Sequence, residues 1–481
     1  MKRISILFLS FSVLFISCKK FLDVNKTPNN PLTVPPSTLL PTATVAIAFA
    51  NSNDLDRATS AIIQHIAGVA NQTASYDVYL LDGSFDNQWN SEIYNGAINN
   101  LQILIDQNSA TNPAYSGIAK LQMAYAFSMA TDIWGDAPYS QAGMGLKFEQ
   151  PRFDLVQDIY QGNATLGITS LFDLVKSGIA DLAKPSALKP GSDDLVYGGD
   201  LTKWARMGNT LLLKFAIMLT NINPSLATST IQSVITGNNY INANGLDFEV
   251  PFGPSVGNQN AIYTFNYQNR PGDQMLSQRL LTLEKSLNDT VRLSKFFTKP
   301  SGQFVAYDNG STAPAPAVNV RSRYNTYLTG LTGEAPIRLL TYFQVNFILA
   351  EAALVLGTTG DPNVYYQAGI TANMQKIGMT PVEIANYFGA NPTIVTLTGT
   401  PAQKLNQIIT QKYIAWIGNG IEAYDDYRRT LYPALTVAQN AQGDNPNVIP
   451  TRFPYTPAEL ARNPNAPNPR PKTDVKLWWA K

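Results

Sequence analysis

The chain holds one cysteine and one histidine among 481 residues, and only 14% of its residues are charged. A single cysteine allows no internal disulfide and no thiolate metal set, which excludes disulfide-stapled and zinc-finger classes. A single histidine leaves any Ser/His/Asp hydrolase dependent on His65 alone. The stretch "SAIIQHIAGVANQ" sets that residue among apolar neighbours at helical spacing, where it reads as a core histidine and not a general base. The 35 Lys and Arg nearly cancel the 34 Asp and Glu, so there is no basic footprint for nucleic acid. Charge is sparse even against the roughly 25% of an average soluble domain. The polar surface must come from Asn, Gln, Thr, Ser and 23 tyrosines, groups that suit a neutral, hydroxyl-rich ligand. Spanning a bilayer takes about 20 apolar residues, and no run beyond the N-terminus is long and clean enough.

The one cysteine stands at an informative place. Met1, Lys2 and Arg3 give a positive start, Ile4 to Ile16 is apolar apart from three serines, and the small Ser17 precedes Cys18. That is the layout of a secretory signal, with an apolar stretch too short to remain as an anchor. A cysteine directly after the small residue resembles a bacterial lipobox. The resemblance implies cleavage before Cys18, a diacylglycerol on its sulfur, and a further acyl chain such as palmitate on the freed amine. Two or more chains hold a protein on a membrane where one is marginal. Residues 19–36, "KKFLDVNKTPNNPLTVPP", are too rich in proline for a helix and read as an extended tether.

From residue 37 onward the pattern is helical in long blocks, at 54–70, 90–106, 115–134, 155–183, 200–221, 337–357, 362–378 and 403–430. Each carries apolar positions three and four apart, as in Ile118, Leu121, Tyr125 and Met129, and Trp204, Leu211 and Met218 repeat every seven. "WGDAP" stops one block, with Gly135 as cap and Pro138 against resumption. The short "TTGDP" link between two blocks demands an antiparallel helical hairpin, the unit of tetratricopeptide-like stacks. Non-helical material concentrates at 240–275, 298–335, 388–401 and 435–475, with short strands expected at "GLDFEVPF" and "GQFVAY". The expected architecture is mainly α, with helical pairs and long loops as the natural carriers of function, and the length allows one large core or two to three average domains.

Glu351 sits in the apolar helix "NFILAEAALVLG", seven residues after Gln344 and on the same face. A buried carboxylate needs a partner, and Arg428 or Arg429 of "DDYRRT" is the expected one. Saccharide binding asks for aromatic faces flanked by amides and guanidinium groups. "SYDVYLLDGSFDNQWNSEIY" offers Tyr76, Tyr79, Phe85 and Trp89 with Asn87 and Asn90. "RSRYNTYLTG" offers Tyr324 and Tyr327 with Arg321, and "IYTFNYQNRPGD" offers Tyr263, Tyr267 and Arg270. These twelve residues are the candidate ligand contacts, read as exposed platforms.

The tether "FLDVNKTPNNP" after Cys18 is similar to the start of SusD/RagB-like outer-membrane lipoproteins, in their second large branch. The resemblance continues in order through "IIQHIAGVANQ", "DIWGDAPYSQA", "DLVYGGDLTKWARMGNTLLLKFA", "LNDTVRL", "APIRLLTYFQVNFILAEAALVLG", "QKYIAWIGNGIEAYDDYRRT", "IPTRFPY" and "LWWAK". It implies a single, mainly α domain over 37–481, with four tetratricopeptide-like pairs and an irregular, loop-rich half that carries the ligand, and it implies no catalysis; no cofactor and no metal are expected. It also implies a cell-surface lipoprotein that binds a nutrient, usually an oligosaccharide or polysaccharide, and passes it to a SusC-like TonB-dependent transporter. Two other readings stand beside it. One is a glycoside hydrolase, whose carboxylate pair would lie about 5 to 9.5 Å apart, and the other is a structural helical-repeat adaptor.

Overall fold

The computed structural model describes residues 34–481. Cys18, the signal-like segment and all but the last residues of the tether lie outside them. The chain folds mainly into helices, whose backbone is α1 Pro36–Ser52, α2 Asp54–Ile62, α3 Pro113–Trp134, α4 Leu171–Leu182, α5 Leu201–Met218, α6 Pro224–Gly237, α7 Tyr342–Val355, α8 Pro362–Lys376, α9 Pro401–Ala415 and α10 Gly420–Thr430. Between α2 and α3 runs a π-helix, Asn87–Asn99, that continues as the α-helix Asn100–Asn108.

Local chemistry starts and stops these helices. Asp200 accepts the backbone N–H groups of Thr202 and Lys203 at the head of α5, Asn223 accepts Leu226 N in front of Pro224, and Thr400 and Gln403 form a reciprocal capping box on α9. Gly135 ends α3 at φ +96°, a conformation that a side chain would strain. Neighbouring helices then pair as hairpins: α3 with α4, α5 with α6, α7 with α8. Gly117 and Gly178 let α3 and α4 approach closely, because a Cβ on Gly117 would stand 2.8 Å from Gly178 O. The seam residues Trp204, Leu211 and Met218 are all buried, as their spacing implies.

Four of the long helical blocks are divided, and one of them, 337–357, opens as a strand, Ile337–Leu340, before α7 begins at Tyr342. The 54–70 block stops at Ile62, where Gln64 adopts φ +64° and the chain turns into strand β1, Ile66–Gly68. The 155–183 block is split by a turn from Gly162, at φ +79°, to Gly167, leaving a short helix Val156–Gln161 ahead of α4. The 403–430 block breaks at Gly418, φ +92°, and Asn419 caps α10. A glycine in the left-handed region outweighs the apolar periodicity around it. Of the two expected strands, "GLDFEVPF" supplies β4, Phe248–Val250, whereas "GQFVAY" forms no strand beyond one bridge of Tyr307 to Ser277.

Six short strands pair two by two and antiparallel. Strand β2, Ala137–Pro138, meets β3, Phe153–Asp154; β4 meets β6, Ile337–Leu340; β1 meets β5, Gln274–Leu276, with Ile66 opposite Leu276. The β1–β5 pair holds the irregular 251–273 stretch against the end of α2. His65 is fully buried here: its Nε2 donates to Tyr413 O at 3.0 Å, and burial pushes its pKa down to about 3. It is a core residue. Glu351 is buried too, and the two terminal guanidinium nitrogens of Arg429 donate to its two oxygens, so Arg429 and not Arg428 is the partner.

Candidate functional site

The expected platform at residues 76–90 is inside the protein. Tyr76, Tyr79, Phe85 and Trp89 are all buried. Tyr76 stacks on Phe85 with ring centres 5.5 Å apart, and Phe85 leans on Phe453 at 4.7 Å. Trp89 meets Trp134 edge-on at 5.0 Å, and the Tyr79 hydroxyl accepts Ala438 N. Tyr324 is likewise buried against Phe297, and Arg321 spends its guanidinium on the carbonyls of Pro316 and Gly272. None of these six presents an open ring face or a free guanidinium in this conformation, and Trp89 and Tyr79 reach only the walls of separate clefts. For the first stretch the reason is the C-terminal segment, whose Phe453 and Tyr455 pack over it and complete an aromatic cluster.

What remains at the surface comes from all three stretches. Tyr263 and Tyr267, one turn apart, stack with centres 5.6 Å apart and planes 16° apart, both half-buried. The Tyr267 hydroxyl donates to Tyr324 O at 2.5 Å, and the Arg323 guanidinium lies 4.5 Å over its ring. Buried Tyr324 is thus a support for an outer tyrosine. Gln268, Asn269 and Arg270 follow in the open. Tyr327 is partly exposed with Arg338 stacked on it at 3.8 Å.

Loops frame this pair. Gln259 donates to the carbonyls of Pro254 and Thr332, which ties the 251–258 loop to the 330–334 turn. Gly333, at φ +107°, runs so close to Tyr263 that a Cβ there would lie 3.1 Å from the ring. Glu334 accepts the backbone N–H groups of Leu331 and Thr332, which hold its carboxyl down at about 2. The turn so fixed leaves Leu331 78% exposed and the facing loop leaves Val256 89% exposed.

Arg57, on α2, meets the third stretch. Its guanidinium sits 3.9 Å over Phe265 and pairs with Asp54, and burial lowers its pKa to about 10. Close by, Glu92 accepts from Asn53 at 2.7 Å and from the exposed Asn87 at 3.1 Å, and burial raises its carboxyl. Asp273 accepts Asn71 Nδ2 at 2.9 Å. Sequence reading missed Arg57, Phe265, Val256, Leu331 and Glu334. An Arg three residues after Asp54 reads as an ordinary helix-surface ion pair, and only the tertiary fold brings Phe265 beneath it. Asn90 points elsewhere, into a separate cleft.

This arrangement defines a class: a scaffold of stacked helical hairpins whose long connections converge on an aromatic, amide-rich surface. Within that class the family is specific. Residues 28–456 match the SusD-like family described as starch-binding and associating with the outer membrane, and the chain belongs to it. Solved structures share the fold. A chitin-binding protein is 22% identical with a TM-score of 0.78 over 93% of this chain and 100% of its own. A SusD homologue from Bacteroides fragilis is 20% identical with a TM-score of 0.78 over 93% and 100%. A chitin-binding SusD homologue from Flavobacterium johnsoniae is 20% identical with a TM-score of 0.73 over 92% and 97%. No curated protein sequence matches the chain.

Proposed function

We propose that this protein is a cell-surface lipoprotein of the outer membrane, anchored through Cys18 and the 19–36 tether, that binds an oligosaccharide or polysaccharide. It delivers that ligand to a SusC-like TonB-dependent transporter. The observation that carries the reading is the family match over residues 28–456, in a family described as starch-binding. Chitin-binding relatives of the same fold agree with it.

The surface around Tyr263 supports binding without bond cleavage. The half-buried Tyr263 ring and the open amides fit sugar C–H faces and hydroxyls, with Tyr267, stacked on Tyr263 and lying under the Arg323 guanidinium, as support. Asp273 is engaged by Asn71 and Glu334 by its own turn, and Glu92, held by two asparagines through Oε1, keeps its other oxygen buried away from the surface. A hydrolase needs one carboxyl free to protonate a leaving group. The protein supplies no described helix long and apolar enough to cross a membrane, so import falls to a partner.

Affinity electrophoresis in gels cast with starch, soluble chitin, β-glucan or xylan tests this. Retardation by at least one is expected, with no sugar release, and Tyr263→Ala should weaken it by about 1–3 kcal/mol, the range for loss of a stacking ring. Unretarded migration in every gel would refute the saccharide reading, and released products would make the protein a hydrolase.

A further inference from the structure

A second concavity, of 380 Å³, opens between the π-helix Asn87–Asn99, the loop at 141–151 and the segment at 459–463. It shares no residue with the Tyr263 surface, and its volume falls in the usual range of small-ligand clefts, about 300–1,000 Å³.

The backbone builds its wall. Asn90, Asn95 and Asn99 all line the cleft. In an α-helix of 3.6 residues per turn, positions nine apart lie on opposite faces. The wider i→i+5 turn returns Asn99 to the side of Asn90, and such turns are rare and recur at functional sites. None of the three side-chain amides bonds another described residue; Asn95 accepts from Asn100 only through its main-chain oxygen. Three adjacent amides therefore keep their donors and acceptors for something outside the chain.

The floor is fixed beforehand. Trp89 Nε1 donates to Glu459 Oε2 at 3.3 Å, and the buried Asn463 donates to Glu459 Oε1 and to Pro151 O, both at 2.9 Å. Opposite stands the half-buried Phe148, beside a turn in which Gly143 and Gly145 take φ +70° and +55° and Leu146 is 89% exposed. Two carboxylates, Glu149 and Glu459, meet two cations, Arg462 and Lys147, whose Nζ lies 5.3 Å from the centre of the Phe148 ring, so the charges balance and the cleft favours neither an anion nor a cation.

We infer that this cleft is a second saccharide-binding site, taking a neutral sugar unit that stacks on Phe148 and hydrogen-bonds the amides of Asn90, Asn95 and Asn99. The choice of sugar rests on the saccharide reading above; the cleft itself does not. Two sites on one rigid body would let a single long glycan engage both, raising avidity over either alone.

Calorimetric titration of the full chain with chitohexaose, cellohexaose, maltohexaose and hexagalacturonate tests the inference. Three variants are compared with the wild type: Asn95→Ala with Asn99→Ala, Phe148→Ala, and Tyr263→Ala. Loss of one or two hydrogen bonds predicts that the asparagine variant binds a neutral hexamer about tenfold more weakly. Phe148→Ala, on the rim, should do the same should the asparagine variant fail to fold. Wild-type affinity in both groove variants, with loss in Tyr263→Ala, would overturn the second site and leave the proposed function standing. Binding of no hexamer by the wild type would overturn both. Groove variants that weaken hexagalacturonate instead would overturn the neutral ligand class.

Discussion

Replacing Glu351 by glutamine should destabilise the protein by about 3 kcal/mol without touching the ligand surface. Glu351, Arg429, Asp426 and Lys412 form a closed set of two carboxylates and two cations, every side chain 5% exposed or less. Arg429 Nη2 donates 2.8 Å to Glu351 and 2.9 Å to Asp426, while Lys412 lies 2.8 Å from Asp426. The charges balance, so the set can remain out of water. Glu351→Gln keeps the shape and leaves one buried positive charge in excess, with Asp426 serving two cations. Removing one partner of a buried pair costs about 3–5 kcal/mol, and because Arg429 keeps one of its two carboxylates the lower end applies. Changing both Glu351 and Arg429 to leucine leaves the Asp426–Lys412 pair intact and apolar groups in place of the other, so the double variant should lose only about 1 kcal/mol. Urea unfolding followed by circular dichroism measures both. A Glu351→Gln loss below about 1 kcal/mol, or a double variant less stable than the single one, would refute the balanced-set argument.

The pH dependence of His65→Gln isolates one buried base. With a folded pKa near 3 against about 6.5 unfolded, the wild type keeps the full His65 contribution above pH 6.5 and loses it as pH falls toward 3. The stability difference between wild type and variant should therefore shrink by about 3 kcal/mol from pH 7 to pH 4, and a constant difference across urea titrations at those pH values would show His65 to be solvated. Trp89→Ala removes a buried indole that touches Trp134, Tyr94 and Tyr455, and should cost about 3–5 kcal/mol; an unchanged melting temperature would return Trp89 to the surface. Cys18→Ala should release a folded protein from the membrane fraction, and sedimentation with membranes after a high-salt wash would count against the lipid anchor.

The helical scaffold was legible because its determinants are local. Trp204, Leu211 and Met218 repeat every seven residues and are buried together, and the stop at Gly135 needs only a glycine ahead of a proline. The need of Glu351 for a cation was also readable, since an apolar helix states the burial and burial states the charge requirement. Choosing Arg429 over Arg428 was not. That depends on which face of α10 meets α7, and Arg428 instead serves Asp425 and the carbonyl of Asp132. The broken blocks failed for a local reason of the opposite kind: Gly162 and Gly418 lie inside apolar periodicity that each interrupts by its backbone alone.

Exposure of an aromatic residue has no local signature, and this is why the candidate site was only partly readable. "FDNQWN" and "IYTFNYQN" have the same make-up, aromatic rings among amides, yet Trp89 is buried and Tyr263 is not. The difference arises more than 360 residues downstream of Trp89, where Phe453 and Tyr455 close over the first stretch and Glu459 takes the indole N–H. Amides on a π-helix raise the same problem. Counting by 3.6 sets Asn90 on the face opposite Asn99, whereas the observed i→i+5 bonding brings Asn90, Asn95 and Asn99 along one cleft. Aromatic–amide composition thus marks where a saccharide surface can be built, and long-range packing together with helix type decides which of those side chains face the ligand.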